Sequence, residues 1–246
     1  MFGAFIIGDE LLVGKREDKH LAFLIGALAK RGLRLGWAHY LGDEPTRLTE
    51  ALKRTLASAD VVFSFGGIGA TPDDHTRQCA AAALGVTLAL HPEAEREIRA
   101  RFAGQDVTPQ RLAMGEFPRG AAIIPNPVNR IPGFSLADHH FVPGFPQMAW
   151  PMVEWVLETR YRDRFDSQKW AEASMLVFEA GESQLIPAMR AVEREFERIK
   201  VFSLPSMGQD GSRIHVELGV RGDPAQVGAA MERLRHEVRS AGFPYK

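Results

Sequence analysis

VVFSFGGIGATPDDHT, residues 61–76, decides the fold: the apolar run Val61, Val62 and Phe63 leads into glycines from Gly66, then into residues that start helices. A short continuous apolar run reads as a strand buried on both faces, the kind found in parallel sheets. The glycines allow positive φ and let backbone N–H groups approach an anion without interference from Cβ. Thr71 suits an N-cap, Pro72 the first helical position, and Asp73 and Asp74 the first turn of a helix running to about Leu84. The positive end of that helix would face the same spot. Capping accounts for these four residues but not for Gly66, Gly67 and Gly69, so we read the loop as a cradle for phosphate. It is neither a Walker A loop, since no Gly-Lys-Ser/Thr follows, nor a dinucleotide fingerprint.

Upstream, residues 5–7 form another apolar run, followed by Leu21, Leu24, Ile25 and Leu28 at helical spacing and Gly32 as a stop. Residues 33–41 read as a second strand. Leu48, Leu52 and Leu56 make a helical stripe entered near Asp43 or Thr46 as caps. Downstream, a strand is expected at 87–90, helices at 92–102 and 108–116, and strands at 121–124 and 141–142. A helix over 147–161 carries Met148, Met152, Trp155 and Val156 on one side. Strands alternating with helices in this way argue for an α/β fold whose mostly parallel sheet is covered on both faces. The polar stretch 160–169 reads as a linker, dividing the chain into domains at 1–165 and 166–246. Beyond it the pattern strand (173–178), helix, strand (201–204), strand (214–220), helix describes a small α+β domain of β-α-β-β-α order.

Composition bounds the function. A net charge of -1 over 246 residues provides no broad field for nucleic acid or an acidic membrane, so neither partner is expected. The single cysteine, Cys79, cannot form an internal disulfide and reads as a small core residue. No run approaches the roughly 18 apolar residues that span a bilayer, and the opening run Met-Phe-Gly-Ala-Phe-Ile-Ile is short for a signal peptide. A cytoplasmic protein is the resulting expectation.

Two further elements belong with the glycine loop. IGDELLVG, residues 7–14, brings Asp9 and Glu10 out at the carboxyl end of the first strand, the edge where ligands of open parallel sheets sit. Carboxylates beside phosphate require Mg²⁺ or another divalent metal between them, or a ligand hydroxyl to recognise. FVPGFPQM, residues 141–148, fixes a rigid turn into the next helix, which either lines a flat aromatic ligand or is a plain loop. Asp9, Glu10, Asp73 and Asp74 are therefore the candidate catalytic carboxylates, and Asp73 and Asp74 the candidate metal ligands. Other constellations carry less. His139 and His140 are adjacent, so a strand would send them to opposite faces. His75 reads as an exposed first-turn residue. Gly208-Gln209-Asp210-Gly211 has a GxxG form but falls between two expected strands and reads as a hairpin connection.

Taken in order, these motifs resemble molybdopterin-binding domains of the MoaB/Mog type, and more closely the amino-terminal domain of the competence/damage-inducible protein A (CinA) family. The matching residues are Gly8 through Leu12 with Gly14, Gly66 through Gly69, Thr71, Asp73, Asp74 and Thr76, Asn126-Pro127, Pro132 through Phe134, and Pro143-Gly144 with Pro146 and Met148. The resemblance implies a three-layer α/β/α domain with a self-associating tendency, hence a homo-oligomer. It also implies a pocket for a small phosphorylated ligand, molybdopterin or a nucleotide, touched by Gly8, Gly66, Gly67, Gly69, Thr71, Thr76, Asn126, Pro143 and Gly144. In related proteins that pocket binds or adenylylates molybdopterin, or hydrolyses nucleotide pyrophosphates such as ADP-ribose with a divalent metal. A non-catalytic carrier and a regulatory scaffold are the alternatives. Ala70 replaces a usual proline, and Asp18-Lys19-His20 an asparagine-rich stretch. The amidohydrolase domain that often closes CinA-like chains has no counterpart here, so deamidation is not expected.

Overall fold

A computed structural model describes residues 1–166, 170–208 and 213–246. The chain divides into two compact units, Met1–Phe165 and Asp166–Lys246. In the first, the order is β1 (Phe2–Ile7), α1 (Asp9–Leu12), α2 (His20–Ala29), β2 (Leu35–Leu41), α3 (Pro45–Leu56), β3 (Val61–Phe65) and α4 (Thr76–Leu84). There follow β4 (Leu88–Leu90), α5 (Pro92–Arg101), α6 (Pro109–Ala113), β5 (Glu116–Pro118), β6 (Ala122–Ile124), β7 (Gly133–Leu136), β8 (His139–Val142) and α7 (Pro146–Arg160).

The main sheet has the order β2-β1-β3-β8-β7-β6. β1 pairs in parallel with β2 and β3, and β3 with β8, while β7 alone runs against its neighbours. Strand alternation sorts β1 between two cores. Phe2, Ala4 and Ile6 join Leu24 and Leu28 of α2 and Met152, Val153 and Val156 of α7. Phe5 and Ile7 join Leu48 and Leu52 of α3, Cys79 and Ala80 of α4, and the stacked rings of Phe117, Phe134 and Phe141. Helices thus cover both faces in three layers, and Cys79 is a buried core residue.

Several expectations are corrected. The strand at 87–90 is β4, which pairs with β5 in a separate two-stranded ribbon rather than joining the main sheet. β7 went unread because Gly133 and a short run hide it. On α7, Val153 and Leu157 are buried and Trp155 is 38% exposed, because the buried stripe follows positions 149, 152, 153 and 156. Glu44, not Asp43 or Thr46, caps α3, accepting from the N–H groups of Thr46 and Arg47 at 2.9 Å each. The adjacent histidines do face apart. His139 Nε2 meets Thr55 Oγ1 at 2.9 Å, while His140 belongs to a buried chain. In that chain Ser135 donates to His140 Nδ1 (2.8 Å), His140 Nε2–H to the Tyr161 oxygen (2.6 Å), and the Tyr161 hydroxyl to Asp138 (2.7 Å). Each hydroxyl and ring nitrogen in that relay has a partner, which joins the β7–β8 hairpin to the end of α7.

The second unit consists of β9 (Ala171–Phe178), α8 (Glu182–Glu195), β10 (Ile199–Ser206), β11 (His215–Gly222) and α9 (Pro224–Ser240). Its antiparallel sheet has the order β10-β11-β9, and Leu185, Val192, Val227, Met231 and Leu234 of the two helices pack on Val177, Val216, Leu218 and Val220. Both sheet edges are blunted. On β10 the outward N–H of Val201 donates to Glu193 (3.1 Å) and Pro205 has none to offer. On β9, Leu176 and Phe178 donate to the carbonyls of Lys246 and Pro244 at 3.0 and 2.9 Å. The GxxG loop joins β10 to β11, but Gln209, Asp210 and Gly211 lie outside the described residues. Among the described residues no helix is long and apolar enough to cross a membrane.

Burial lowers His139 to about 4 and His140 to about 3 from an ordinary 6.5. Folded-state values below the unfolded ones mean that unfolding takes up protons as pH falls below 6.5. Stability is therefore full above that pH and lost toward pH 4. Urea titrations should show a lower unfolding free energy at pH 5 than at pH 7. Tyr161→Phe, which leaves His140 without the oxygen and its relay, should cost about 1–3 kcal/mol at pH 7. Equal midpoints at both pH values would contradict the assignment.

Candidate functional site

The carboxyl ends of β1, β2, β3 and β8 frame one open cleft of about 650 Å³. From β1 come Gly8, Glu10 and the following Lys15 and Arg16. β2 contributes Asp43, β3 the loop Gly66 to Thr71 with Asp73 and Asp74, and β8 contributes Pro143, Gly144 and Phe145. The position follows the rule for open parallel sheets.

The loop is longer than its sequence suggests. α4 begins at Thr76, not near Pro72, and His75 precedes it without a side-chain cap. Thr71, Asp73 and Asp74 thus belong to the loop. Asp74 folds back on Thr71, accepting from its N–H at 2.8 Å and from its hydroxyl, while Asp74 N–H donates to the Thr71 carbonyl at 3.0 Å. The one Thr71 proton goes to Asp74 here.

Thr76 is not a cleft residue. It is fully buried; its hydroxyl donates to Gly66 O (3.1 Å) and its N–H to Gly67 O (3.0 Å). In a planar trans peptide the C=O and the next N–H point in opposite directions. Pinning those two carbonyls toward α4 therefore turns the N–H groups of Gly67 and Ile68 away from it. Gly67, at φ 68°, has no room for a side chain, since a Cβ would lie 2.2 Å from Thr76 Oγ1. Among the described residues the N–H groups of Gly67, Ile68, Gly69 and Ala70 meet no protein acceptor.

The acids are distributed differently from the sequence reading. Glu10, Asp73 and Asp74 line the cleft, but Asp9 turns aside to accept from the N–H of Asp43 at 3.2 Å, and its own N–H donates to Asp43 Oδ2 at 2.9 Å. Asp43, read from sequence only as a cap, faces the cleft in its place. Burial first, then the neighbouring carboxylates of Asp9, Glu10 and Asp73, raise its pKa, against the lowering effect of the Asp9 N–H. Asn126 lies elsewhere: it holds its own turn through Ile131 O (3.0 Å) and Val128 N–H (3.1 Å) and borders a separate groove beside Pro151 and Trp155.

Lys15, Arg16, Arg77 and Phe145 escaped the sequence reading. Lys15 and Arg16 follow Gly14 in a polar stretch without a pattern. The Arg16 guanidinium approaches Glu10 only loosely, at 3.9 Å, and remains exposed. Asp43 had a usable signal, since it ends the second strand at the same edge as Asp9. A second hollow of about 440 Å³ adjoins the first and shares Glu10, Arg16, Gly144 and Phe145 with it. Its floor is His20, stacked on Phe65 at 4.5 Å and bonded through Nε2 to the Gly144 carbonyl at 3.1 Å.

A three-layer α/β/α domain with a glycine-rich loop and acids at one carboxyl edge is the framework of a molybdopterin-binding domain. The match to the family described as probable molybdopterin binding domain covers residues 3–163, and the chain belongs to that family. Its relatives include CinA-like proteins. It is 32% identical to a CinA-like protein of Anaeromyxobacter sp. over 92% of this chain and 60% of that protein. It is also 31% identical to a protein of Pyrobaculum aerophilum over 81% of this chain and 77% of that one. The crystal structure of CinA from Thermoplasma acidophilum is 28% identical, superposes with a TM-score of 0.58, and aligns with 64% of this chain and 95% of that one.

Asp43 provides a test of the acid cluster. A carboxyl whose folded pKa is raised binds its proton more tightly in the folded state, so its ionisation removes stability as pH rises through that range. Asp43→Asn should therefore raise the melting temperature at pH 7, with the gain shrinking toward pH 3. A melting temperature below wild type at pH 7 would show that Asp43 is not crowded by like charge.

Proposed function

We propose that the amino-terminal unit binds a phosphorylated small molecule, a molybdopterin-like pterin or a nucleotide, and in its enzymatic form hydrolyses a nucleotide pyrophosphate of the ADP-ribose type. One observation carries the reading: four consecutive N–H groups without protein acceptors, at Gly67, Ile68, Gly69 and Ala70, line the cleft that Lys15 and Arg16 also border. Backbone amides left free in a glycine loop are suited to an anion, and flanking cations strengthen such a site. The family's description as molybdopterin-binding supports the pterin version.

The acids opposite the loop require positive charge when phosphate enters. Among the described residues no three His, Cys, Asp or Glu side chains converge as a metal cage. Mg²⁺, however, commonly binds through one or two carboxylates, its own waters and the substrate's phosphates. The crowding that raises Asp43 is a field such an ion relieves, so the donor set suits a phosphate-bridged cation. Asp73, with Asp43 or Glu10, would hold it. Asp74 has one oxygen committed to Thr71 and is better placed to shape the loop. When bound, the ion would neutralise charge on the departing phosphate. The loop amides would hold the retained phosphate, Lys15 and Arg16 would draw the second, and Glu10 or Asp43 would orient and deprotonate the attacking water. A non-catalytic carrier is the second reading, favoured by the lack of a three-ligand cage among the described residues.

The experiment is a thermal-shift screen with ADP-ribose, FAD, ATP and molybdopterin precursors, with and without Mg²⁺, Mn²⁺ or Co²⁺, followed by hydrolysis assays on any ligand that binds. Saturation at 100 times Kd should add about 2.7 kcal/mol of stability. Asp73→Ala should reduce metal-dependent turnover roughly 100-fold or more. Binding that survives chelation, with no turnover, selects the carrier; no shift with any phosphorylated compound defeats both versions.

A further inference from the structure

We propose that Arg77 is a positioning residue for the phosphate cleft, fixing the glycine loop from behind through the Gly69 carbonyl and placing a full positive charge beneath it. The inference rests on the phosphate-binding reading above. Arg77 is 4% exposed on the first turn of α4. Its Nη2 donates to Gly69 O at 2.7 Å, and Nη1 to Glu116 O at 3.3 Å and to Ala113 O. Its Nε has no partner. Every acceptor is a backbone carbonyl, and no carboxylate pairs with the guanidinium among the described residues.

An arginine buried in this way is costly, because desolvation is not repaid by an ion pair. Filling the space does not explain it, since an apolar side chain of similar volume would do so without that penalty. Two consequences at the cleft do explain it. Holding the Gly69 carbonyl from the α4 side turns the N–H of the same peptide, that of Ala70, in the opposite direction. Arg77 thereby does for Ala70 what Thr76 does for Gly67 and Ile68. The charge itself lies behind those amides in a water-poor setting, where its attraction for an anion is weakly screened. Asp74 and Glu116, the nearest acids, offset it only in part and at a distance. An incoming phosphate would supply the counter-charge that the folded chain lacks.

The test uses calorimetric titration of the whole protein with inorganic pyrophosphate and with inorganic phosphate, for wild type, Arg77→Gln and Arg77→Lys, with melting curves for each. Arg77→Gln should weaken pyrophosphate binding about 10-fold or more. It should also shrink the preference for pyrophosphate over phosphate, a charge-dependent ratio that mere loosening of the loop would leave unchanged. Arg77→Lys keeps the charge and should keep that ratio while losing part of the affinity, because an ammonium cannot span three carbonyls. If the glutamine variant does not fold, the lysine variant decides: pyrophosphate binding at least threefold weaker supports the proposal and unchanged binding overturns it. Wild-type protein that binds neither anion defeats the cleft reading and the proposal together. Wild type that binds while the folded variants match it in affinity and ratio defeats the proposal alone.

Discussion

Gly66 lies so close to the end of the neighbouring strand that a Cβ there would be 2.4 Å from the carbonyl oxygen of Ile7. Everything at the candidate site follows from that approach. β1 and β3 are paired up to Ile6 opposite Phe65, so the two chains leave the sheet at the same level. β8 ends beside them, with Gly144 packed over Gly66. Three strand ends can meet this closely only where side chains are absent, and their meeting brings the glycine loop, the acid turn and the Pro-Gly-Phe turn to one cleft. A larger residue at Gly66 would push β1 and β3 apart at the one place where their divergence must be controlled.

The architecture was legible because burial on both faces leaves a direct trace in sequence. Phe5 to Ile7 and Val61 to Phe63 are apolar without alternation, as suits parallel central strands buried on both faces. The carboxyl-edge rule puts Asp9 and Glu10 beside the glycine loop, and the structure lines one cleft with Gly8, Glu10, Gly66 and Gly144. What was illegible depended on partners distant in sequence. β4 has the composition of a sheet strand, and only its pairing with β5 takes it out of the main sheet. Thr71-Pro72-Asp73-Asp74 satisfies every local rule for starting a helix, yet Asp74 bonds back to Thr71 and the helix waits until Thr76. Asp9 and Asp43 exchange roles because each accepts the other's N–H, a relation between two loops that no single window contains.

Charge at the site is arranged in opposition to stability. Asp43 is crowded by three other carboxylates, and Arg77 is buried without an acid in contact. A protein selected only for folding would neutralise both. In the Ser135–His140–Tyr161–Asp138 relay, by comparison, each hydroxyl and ring nitrogen has its partner within the protein.

The small antiparallel sheet of the second unit has a different lesson. Glu193 over Val201, Pro205 in the same strand, and the 244–246 segment along β9 occupy the positions where a foreign strand would begin to zip on. Those stretches of the two edges are thus closed to sheet extension, by which an open edge recruits foreign strands. A strand joining at those positions would first have to displace the Glu193 carboxylate or peel away the chain's own last residues.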